Sequence, residues 1–151
     1  MGANYNPQRF KVLFLDLGLM QRACDLNISR WIIESYNLIN SGPVAEQFAG
    51  QEICANSNFK REKLYFWARD KRGSSAEVDY MIEGSHGMIP IEVKAGASGK
   101  LKRMHLLLNS QPEISKGIKV SLDNFERHNN IQSIPLYAFG TWPEKSRCLS
   151  R

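Results

Sequence analysis

Three ionisable residues lie in two neighbouring segments that otherwise have the composition of buried β-strands. Asp79 lies in AEVDYMI (76–82), while Glu92 and Lys94 lie in MIPIEVK (88–94). A charged side chain that leaves water loses a large hydration free energy unless it is paired, hydrogen-bonded or bound to a metal ion. The three residues therefore either lie on a solvated face, with Glu92 and Lys94 forming an ion pair, or form a functional site.

The two segments are joined by EGSHG (83–87), whose small and polar residues favour a turn, so we expect a β-hairpin. If the turn is symmetric about its centre, Asp79 lies opposite Glu92 and Glu77 lies opposite Lys94. Facing Cβ atoms in such a pair are about 4.5–5.5 Å apart. Strand alternation then puts the carboxylates on one face and three apolar side chains on the other, namely Val78, Tyr80 and Ile82.

Two facing carboxylates repel each other unless one takes up a proton, a basic side chain lies between them, or a cation binds. Hard divalent cations such as Mg²⁺ and Mn²⁺ prefer oxygen ligands, often carboxylates together with water and a phosphate. Asp79 and Glu92 are therefore candidate metal ligands. Lys94 projects from the same face as Glu92 and would orient a water molecule or offset negative charge at a phosphate.

The rest of the sequence predicts the elements that would hold this hairpin. Gly42 and Pro43 have the order expected at the start of a helix. Helices are predicted at 29–39, 42–56 and 98–109. Strands are predicted at 63–69, 76–82, 88–94, 117–123 and 134–140, and a short strand that turns at Asp16 and Gly18 is predicted in 11–19. This order predicts an α/β (α+β) fold with a central mixed sheet flanked by helices.

The length and composition are those of one globular domain: 151 residues, 42% hydrophobic and 23% charged. We expect a single domain over 1–151, with a core at about 42–140, an N-terminal strand and helices in 1–41, and a loose tail in 143–151. No apolar run approaches the roughly 18 residues of a membrane helix, so no membrane partner is expected. The three cysteines include no CxxC pair, which favours a reducing, cytoplasmic location.

Basic residues concentrate in two stretches of a chain whose net charge is +5. KREKLYFWARDKR (60–72) contains six basic and two acidic residues, and KAGASGKLKR (94–103) contains four basic residues and no acidic one. Such clusters beside aromatic side chains suit a nucleic-acid backbone, although a solvated face that keeps the protein in solution has the same composition. The candidate nucleic-acid contacts are Lys71, Arg72, Lys100, Lys102 and Arg103.

The spacing D-x12-E-x-K in residues 79–94 resembles the signature of the PD-(D/E)xK, or restriction-endonuclease-like, nuclease superfamily. In that superfamily the first core helix often carries a glutamate that completes the metal site. GPVAEQFA (42–49) resembles this helix, which makes Glu46 the matching position and Glu52 a second candidate. The sequence departs from the pattern because no proline precedes Asp79.

Four separated segments resemble one particular family of domains when taken together and in order. The segments are KVLFLDLGL, GPVAEQFAGQEI, LYFWARDKRGSSAEVDYMI and IPIEVKAG, and they cover about residues 10–110. They resemble the nuclease-like domain of unknown function found C-terminal to an AAA-type ATPase module in many prokaryotic proteins. The resemblance implies a restriction-endonuclease-like core with Glu46, Asp79, Glu92 and Lys94 in the catalytic positions. Glu46, Asp79 and Glu92 would then be the ligands of Mg²⁺ or Mn²⁺.

Two functions are compatible with this resemblance. The first is a metal-dependent nuclease-like domain that hydrolyses or binds nucleic-acid phosphodiesters, with DNA favoured over RNA. The second is a catalytically weak or inactive module of the same fold, which serves DNA binding or the oligomerisation of an ATPase. In both cases an ATPase module is expected in the same longer chain, and a homo-oligomer is left open.

Overall fold

A computed structural model describes residues 8–26, 42–56, 64–71, 74–84, 86–95 and 101–142 of the chain. Within these ranges the chain forms three α-helices, six β-strands and one 3-10 helix. The helices are α1 (Leu17–Ala23), α2 (Gly42–Asn56) and α3 (Lys102–Ser110), and the 3-10 helix is Leu136–Thr141. The strands are β1 (Tyr65–Lys71), β2 (Ser74–Gly84), β3 (Gly87–Val93), β4 (Gly117–Ser121), β5 (Glu126–His128) and β6 (Ile131–Pro135).

The six strands form one mixed sheet in the order β1-β2-β3-β4-β6-β5. The strands β1, β2 and β3 are antiparallel neighbours, β3–β4 and β4–β6 are parallel pairs, and β5 is antiparallel to β6. Parallel neighbours need a crossover connection, and α3 lies in the connection between β3 and β4. The predicted α/β (α+β) class with a central mixed sheet and helices is therefore confirmed.

Helices cover both faces of the sheet. On one face α2 packs through Ala45 and Ala49 against side chains that include Tyr80, Ile91 and Val120. On the other face α3 packs through side chains that include Met104 and Leu107, against Val78 and Met81 of β2. Because both faces are covered, residues 89–93 of β3 are all buried, as expected of a central strand in such a sheet.

An extra residue in β2 changes the faces that its side chains occupy. The pairs on the two sides of this β-bulge are Tyr65–Met81 and Trp67–Val78. Asp79 and Tyr80 of β2 therefore both lie opposite Phe66 of β1, and the alternation of side chains is interrupted there. Val78 consequently packs on the face of α3, while Tyr80 and Ile82 pack on the face of α2. The prediction that Val78, Tyr80 and Ile82 share one face is wrong for Val78.

The N-terminal segment differs from its predicted form. Residues 11–14, expected as a strand, belong to none of the six strands. Asp16 is the N-cap of α1, and its side chain accepts a hydrogen bond of 2.9 Å from the Leu19 N–H. The helix begins here because a capping aspartate satisfies a backbone N–H that has no partner within the helix.

The predicted strand at 134–140 is also wrong over most of its length. β6 ends at Pro135, and the chain continues as the 3-10 helix, which brings Phe139 into the same core as Ile134. The short strand β5 was not predicted. It pairs with β6 across a turn in which Asn129 has φ 51°, a left-handed conformation that asparagine tolerates better than most residues.

The predicted helix at 29–39 and the tail at 143–151 lie outside the described residues. Among the helices of the described ranges, none is long and apolar enough to cross a membrane.

Candidate functional site

The β2–β3 hairpin has the register that its sequence predicts, but its ladder is shorter than either strand. The ladder ends at the pair Tyr80–Ile91. Beyond this pair the described part of β2 pairs with β1, and β3 pairs with β4. We call this point of separation the fork. The ladder stops before two of the expected pairs, Asp79–Glu92 and Glu77–Lys94.

Asp79 lies at the fork, with its carboxylate directed at the neighbouring strand. Its Oδ2 accepts a hydrogen bond of 2.7 Å from the backbone N–H of Val93. Burial raises the pKa of Asp79 from 3.8 to about 7; the charges of Glu92 and Glu46 act in the same direction, while the Val93 hydrogen bond and Lys11 oppose it. The carboxyl group of Asp79 therefore titrates near neutral pH. Shifted pKa values of this kind are common at functional sites.

Three carboxylates meet on the α2 side of the fork, and we call them the acidic cluster. One oxygen each of Glu46, Glu77 and Asp79 lies within 4.8 Å of the others. Glu77 and Asp79 are alternate residues of β2 and so share a face. Glu46 comes from α2, whose position is fixed by the Tyr80 hydroxyl, which donates a hydrogen bond of 2.9 Å to the Glu46 carbonyl. A set of carboxylate oxygens at this spacing is the donor set that Mg²⁺ and Mn²⁺ prefer.

A lysine of the N-terminal segment neutralises part of the acidic cluster. Lys11 Nζ lies 2.6 Å from Glu46 Oε1, 2.7 Å from Glu77 Oε1 and 4.0 Å from Asp79 Oδ1. Burial disfavours the charged form of Lys11, but the hydrogen bonds to the two glutamates and the nearby negative charges outweigh it and raise the pKa of Lys11 above its ordinary value. Lys11 is thus a cation tethered within the cluster.

Side-chain amides of α2 hold the segment that carries Lys11. Gln47 and Gln51 donate from Nε2 to the carbonyl oxygen of Phe14, at 2.9 and 2.8 Å. The Lys11 ammonium also lies 5.3 Å from the ring centroid of Tyr80, within the range of a cation–π contact. The same helix that supplies Glu46 therefore also fixes the lysine that pairs with it.

Glu92 and Lys94 form a separate ion pair near the fork, with Lys94 Nζ 2.5 Å from Glu92 Oε1. Glu92 is 1% exposed, and its Oε2 has no hydrogen-bond partner among the described residues. Its neighbours Ile91 and Val93 pack on the α2 face, so strand alternation puts Glu92 on the face that carries α3. Glu92 and Asp79 do not face each other across a ladder, because the bulge turns Asp79 toward α2, but the charge of Glu92 still raises the pKa of Asp79.

Of the predicted nucleic-acid contacts, Arg103 shares a groove with a residue of the acidic cluster. Arg103 lines a groove of about 520 Å³ together with Lys11 and Glu77. Lys102 is exposed in the first turn of α3. The side chain of Lys71, and Arg72 and Lys100 entirely, lie outside the described residues.

Sequence reasoning gave one candidate that lies elsewhere, and it missed one residue of the acidic cluster and the lysine that pairs with it. Glu52, the second candidate on α2, lies against Gly140 of the 3-10 helix. Glu77 had a local signal, because it lies two positions before Asp79 on the same strand. No local sequence signal pointed to Lys11, because it is 35 residues from Glu46 in the chain.

Comparison with known proteins places the chain in a family. Residues 41–139 match the family described as "Domain of unknown function (DUF4143)". The matched range begins just before α2 and ends within the 3-10 helix, so it contains all six strands and the predicted site residues Glu46, Asp79, Glu92 and Lys94. No curated protein and no solved structure matches the chain. Because the matched range covers more than half of the 151 residues, the chain belongs to the DUF4143 family of domains of unknown function.

Proposed function

We propose that this domain is a nuclease-like, divalent-metal-dependent hydrolase of nucleic-acid phosphodiesters, with a restriction-endonuclease-like core. The observation that carries the proposal is the composition of the fork. Glu46 and Asp79 have carboxylate oxygens within 4.8 Å of each other, and Glu92 and Lys94 form an ion pair on the adjacent strand. The D-x12-E-x-K resemblance assigns catalysis to Asp79, Glu92 and Lys94, and the resemblance of the preceding helix adds Glu46.

The donor atoms at the fork fit a hard cation. The acidic cluster offers carboxylate oxygens, and Glu92 Oε2 is a buried carboxylate oxygen without a partner among the described residues. Such an oxygen is costly to bury, so a cation at the fork would stabilise it. Glu46, Glu77 and Asp79 are the proposed ligands. Glu92, which the resemblance also makes a ligand, lies on the α3 face of β3 and would act on the cation through its charge, which reaches Asp79. Mg²⁺ or Mn²⁺ bound there would lower the pKa of a water molecule and stabilise negative charge on a phosphate.

The side chains of the domain would perform the remaining tasks. Lys94 would hold the attacking water or the phosphate through its ammonium group. Asp79, whose pKa is about 7 in the metal-free protein, would release its proton when the cation binds. Arg103 and Lys102 would contact the nucleic-acid backbone and so contribute affinity without sequence preference. DNA remains the favoured substrate over RNA.

Lys11 supports a second candidate function. Its ammonium group makes ion pairs with Glu46 and Glu77 and so takes the electrostatic role of a cation in the acidic cluster. A module of this fold with a lysine in that place would bind DNA, or oligomerise an ATPase of the same longer chain, without cleaving phosphodiesters. Fold alone does not distinguish the two functions.

Metal binding is the first test. The melting temperatures of the wild type, Asp79→Asn, Glu92→Gln and a control, Glu83→Gln, are compared with and without Mn²⁺. Glu83 is an exposed carboxylate of the same strand as Asp79. Under the first proposal Mn²⁺ raises the melting temperature of the wild type and of Glu83→Gln, because a ligand that binds only the folded state stabilises it. It should raise the melting temperatures of Asp79→Asn and Glu92→Gln much less.

Cleavage is the second test, on circular and linear DNA and RNA in single- and double-stranded form. We expect Lys94→Ala to retain the thermal shift with Mn²⁺ while losing cleavage by about a hundredfold or more, since it acts on the reacting groups. A wild type that gains no stability from Mn²⁺ and cleaves none of these substrates would contradict the first proposal and favour the binding module.

A further inference from the structure

A groove with cationic and aromatic side chains opens beside the acidic cluster. Its volume of about 520 Å³ is within the range of ligand-binding clefts. The lining residues that decide its chemistry are Arg9, Phe10, Lys11, Phe66, Glu77 and Arg103. Lys11 and Glu77 are paired with each other at 2.7 Å. Arg103, from the first turn of α3, adds a positive charge to the groove.

Phe10 gives this groove an exposed aromatic surface. Its side chain is 74% exposed, whereas Lys11 beside it is directed into the acidic cluster. A single exposed apolar residue is ordinary on a protein surface. Phe10 differs because it shares a groove with Arg103, and aromatic rings combined with cations are the means by which proteins hold unpaired nucleotides.

We propose that this groove binds a single-stranded nucleic acid, with an unpaired base stacked on Phe10 and a backbone phosphate on Arg103. Within a duplex the faces of each base are covered by its neighbours, so away from the duplex ends stacking on an exposed ring requires an unpaired base. The inference deepens the proposed function, on which it rests for the kind of ligand, by naming the substrate class. Because Glu77 belongs to both the groove and the acidic cluster, and Lys11 of the groove pairs with that cluster, a strand in the groove would lead to the fork.

Binding without metal tests the groove separately from cleavage. In a buffer that contains EDTA, the fluorescence anisotropy of a labelled oligo-dT strand gives the dissociation constants of the wild type, Phe10→Ala and Arg103→Ala. The matched controls are Tyr137→Ala, an 80% exposed aromatic residue of the 3-10 helix, and Arg127→Ala, an exposed residue of β5. Neither control residue lines the groove.

We expect Phe10→Ala to weaken binding about five- to a hundredfold without changing its salt dependence, because the lost contact is stacking. Arg103→Ala should weaken binding and make the plot of log association constant against log salt concentration less steep. The magnitude of its slope should fall by about 0.7, the contribution of one phosphate contact on a single strand. A dumbbell duplex of the same length, whose closed ends leave no terminal base pair exposed, should bind more weakly and should not respond to Phe10→Ala. Both control variants should bind as the wild type does.

Equal affinity for duplex and single strand, or unchanged affinity in Phe10→Ala, would overturn the inference. Circular dichroism of each variant shows whether a loss of binding comes from misfolding. Single-strand binding that depends on Phe10 and Arg103 supports the groove even when no phosphodiester is cleaved, in which case only the hydrolase proposal fails. Metal-dependent cleavage with binding insensitive to both residues would overturn the groove and leave the hydrolase proposal standing.

Discussion

At the scale of single residues, the acidic cluster is stabilised by two means at once. The Lys11 ammonium contacts Glu46 and Glu77, and the burial of Asp79 raises its pKa to about 7 so that this third carboxyl is partly protonated at neutral pH. Three fully charged carboxylates at this spacing would repel one another strongly. A divalent cation would replace both the Lys11 ammonium and the proton on Asp79. Its binding must therefore compete with Lys11 and release the proton of Asp79.

The raised pKa of Asp79 predicts a specific dependence of stability on pH. Folded Asp79 holds a proton that the unfolded chain releases between pH 3.8 and about 7, so this residue makes the protein less stable as the pH rises through that window. In Asp79→Asn the side-chain oxygen can still accept from Val93, but no proton is released. At about 1.4 kcal/mol per pKa unit, the free energy of unfolding of Asp79→Asn relative to the wild type should rise by on the order of 4 kcal/mol from pH 4 to pH 8.

Urea denaturation of both proteins at each pH measures this difference. Parallel curves of stability against pH for Asp79→Asn and the wild type would show that Asp79 has an ordinary pKa.

The ion pairs of Lys11 predict that it competes with a cation. Lys11→Met leaves the carboxylates without their tethered positive charge, so it should lower the stability of the metal-free protein and tighten Mn²⁺ binding about tenfold or more, measured by calorimetry. Lys11→Arg keeps the charge and should not tighten binding, and Lys116→Met, at an exposed lysine, should behave as the wild type. The same Mn²⁺ affinity in Lys11→Met and the wild type would contradict the competition.

At the scale of elements, the site depends on the close approach of α2 to β2. Gly50 of α2 makes this approach possible, because a Cβ added there would lie 2.6 Å from Tyr80 Oη and 2.7 Å from Leu13 Cδ2. The Tyr80 hydroxyl reaches the Glu46 carbonyl across the same interface. The bulge in β2 completes the arrangement by directing Asp79 and Tyr80 toward α2.

The contact at Gly50 predicts that Gly50→Ala is destabilising, by about 1–3 kcal/mol, because the rigid Tyr80 ring cannot give way. In an open helix position the same change is stabilising by up to about 1 kcal/mol. Gly42→Ala, at the first residue of the same helix, is the control for an added methyl group without a clash, since nothing lies within 4 Å of its added Cβ, and no gain in helix propensity is expected at this end position. Chemical denaturation measures both, and a Gly50→Ala variant as stable as Gly42→Ala would show that α2 does not pack so closely on Tyr80.

At the scale of the whole molecule, one sheet joins two cores. The core under α2 and the core under α3 are separated by the sheet, and β2 and β3 contribute side chains to both. Loss of packing on one side should therefore weaken the sheet on which the other side depends. The fork is held by both cores, since Tyr80 and Val78 lie on opposite faces beside Asp79.

This shared sheet predicts a single cooperative unfolding transition. Leu107→Ala removes a side chain that is 0% exposed in the core under α3, and it should cost about 2–5 kcal/mol without separating the transition into two steps. Leu122→Ala, at a residue that is 50% exposed, should change stability by less than about 0.5 kcal/mol. Tryptophan fluorescence and far-ultraviolet circular dichroism should report the same midpoint, and two separate midpoints would contradict the cooperative sheet.

The sequence by itself determined the elements whose signals are local. Gly42 and Pro43 mark the start of α2, and the turn residues at 83–87 with alternating strands on either side fix the register of the hairpin. The spacing of Asp79, Glu92 and Lys94 could be read in the same way, because each residue belongs to that hairpin. Prediction failed at Pro135, where an alternating apolar pattern continued but the chain turned into a 3-10 helix.

Only the tertiary structure decided which charged groups meet. The ion pair between Lys11 and Glu46 joins residues 35 positions apart, and no periodicity within either segment encodes that distance. The bulge in β2 is likewise a feature of its pairing with β1, and it moves Asp79 into the acidic cluster while Glu92 stays on the other face. A local pattern fixes backbone conformation over a few residues, but the balance of charge at a site is the sum over every segment that folding brings to it.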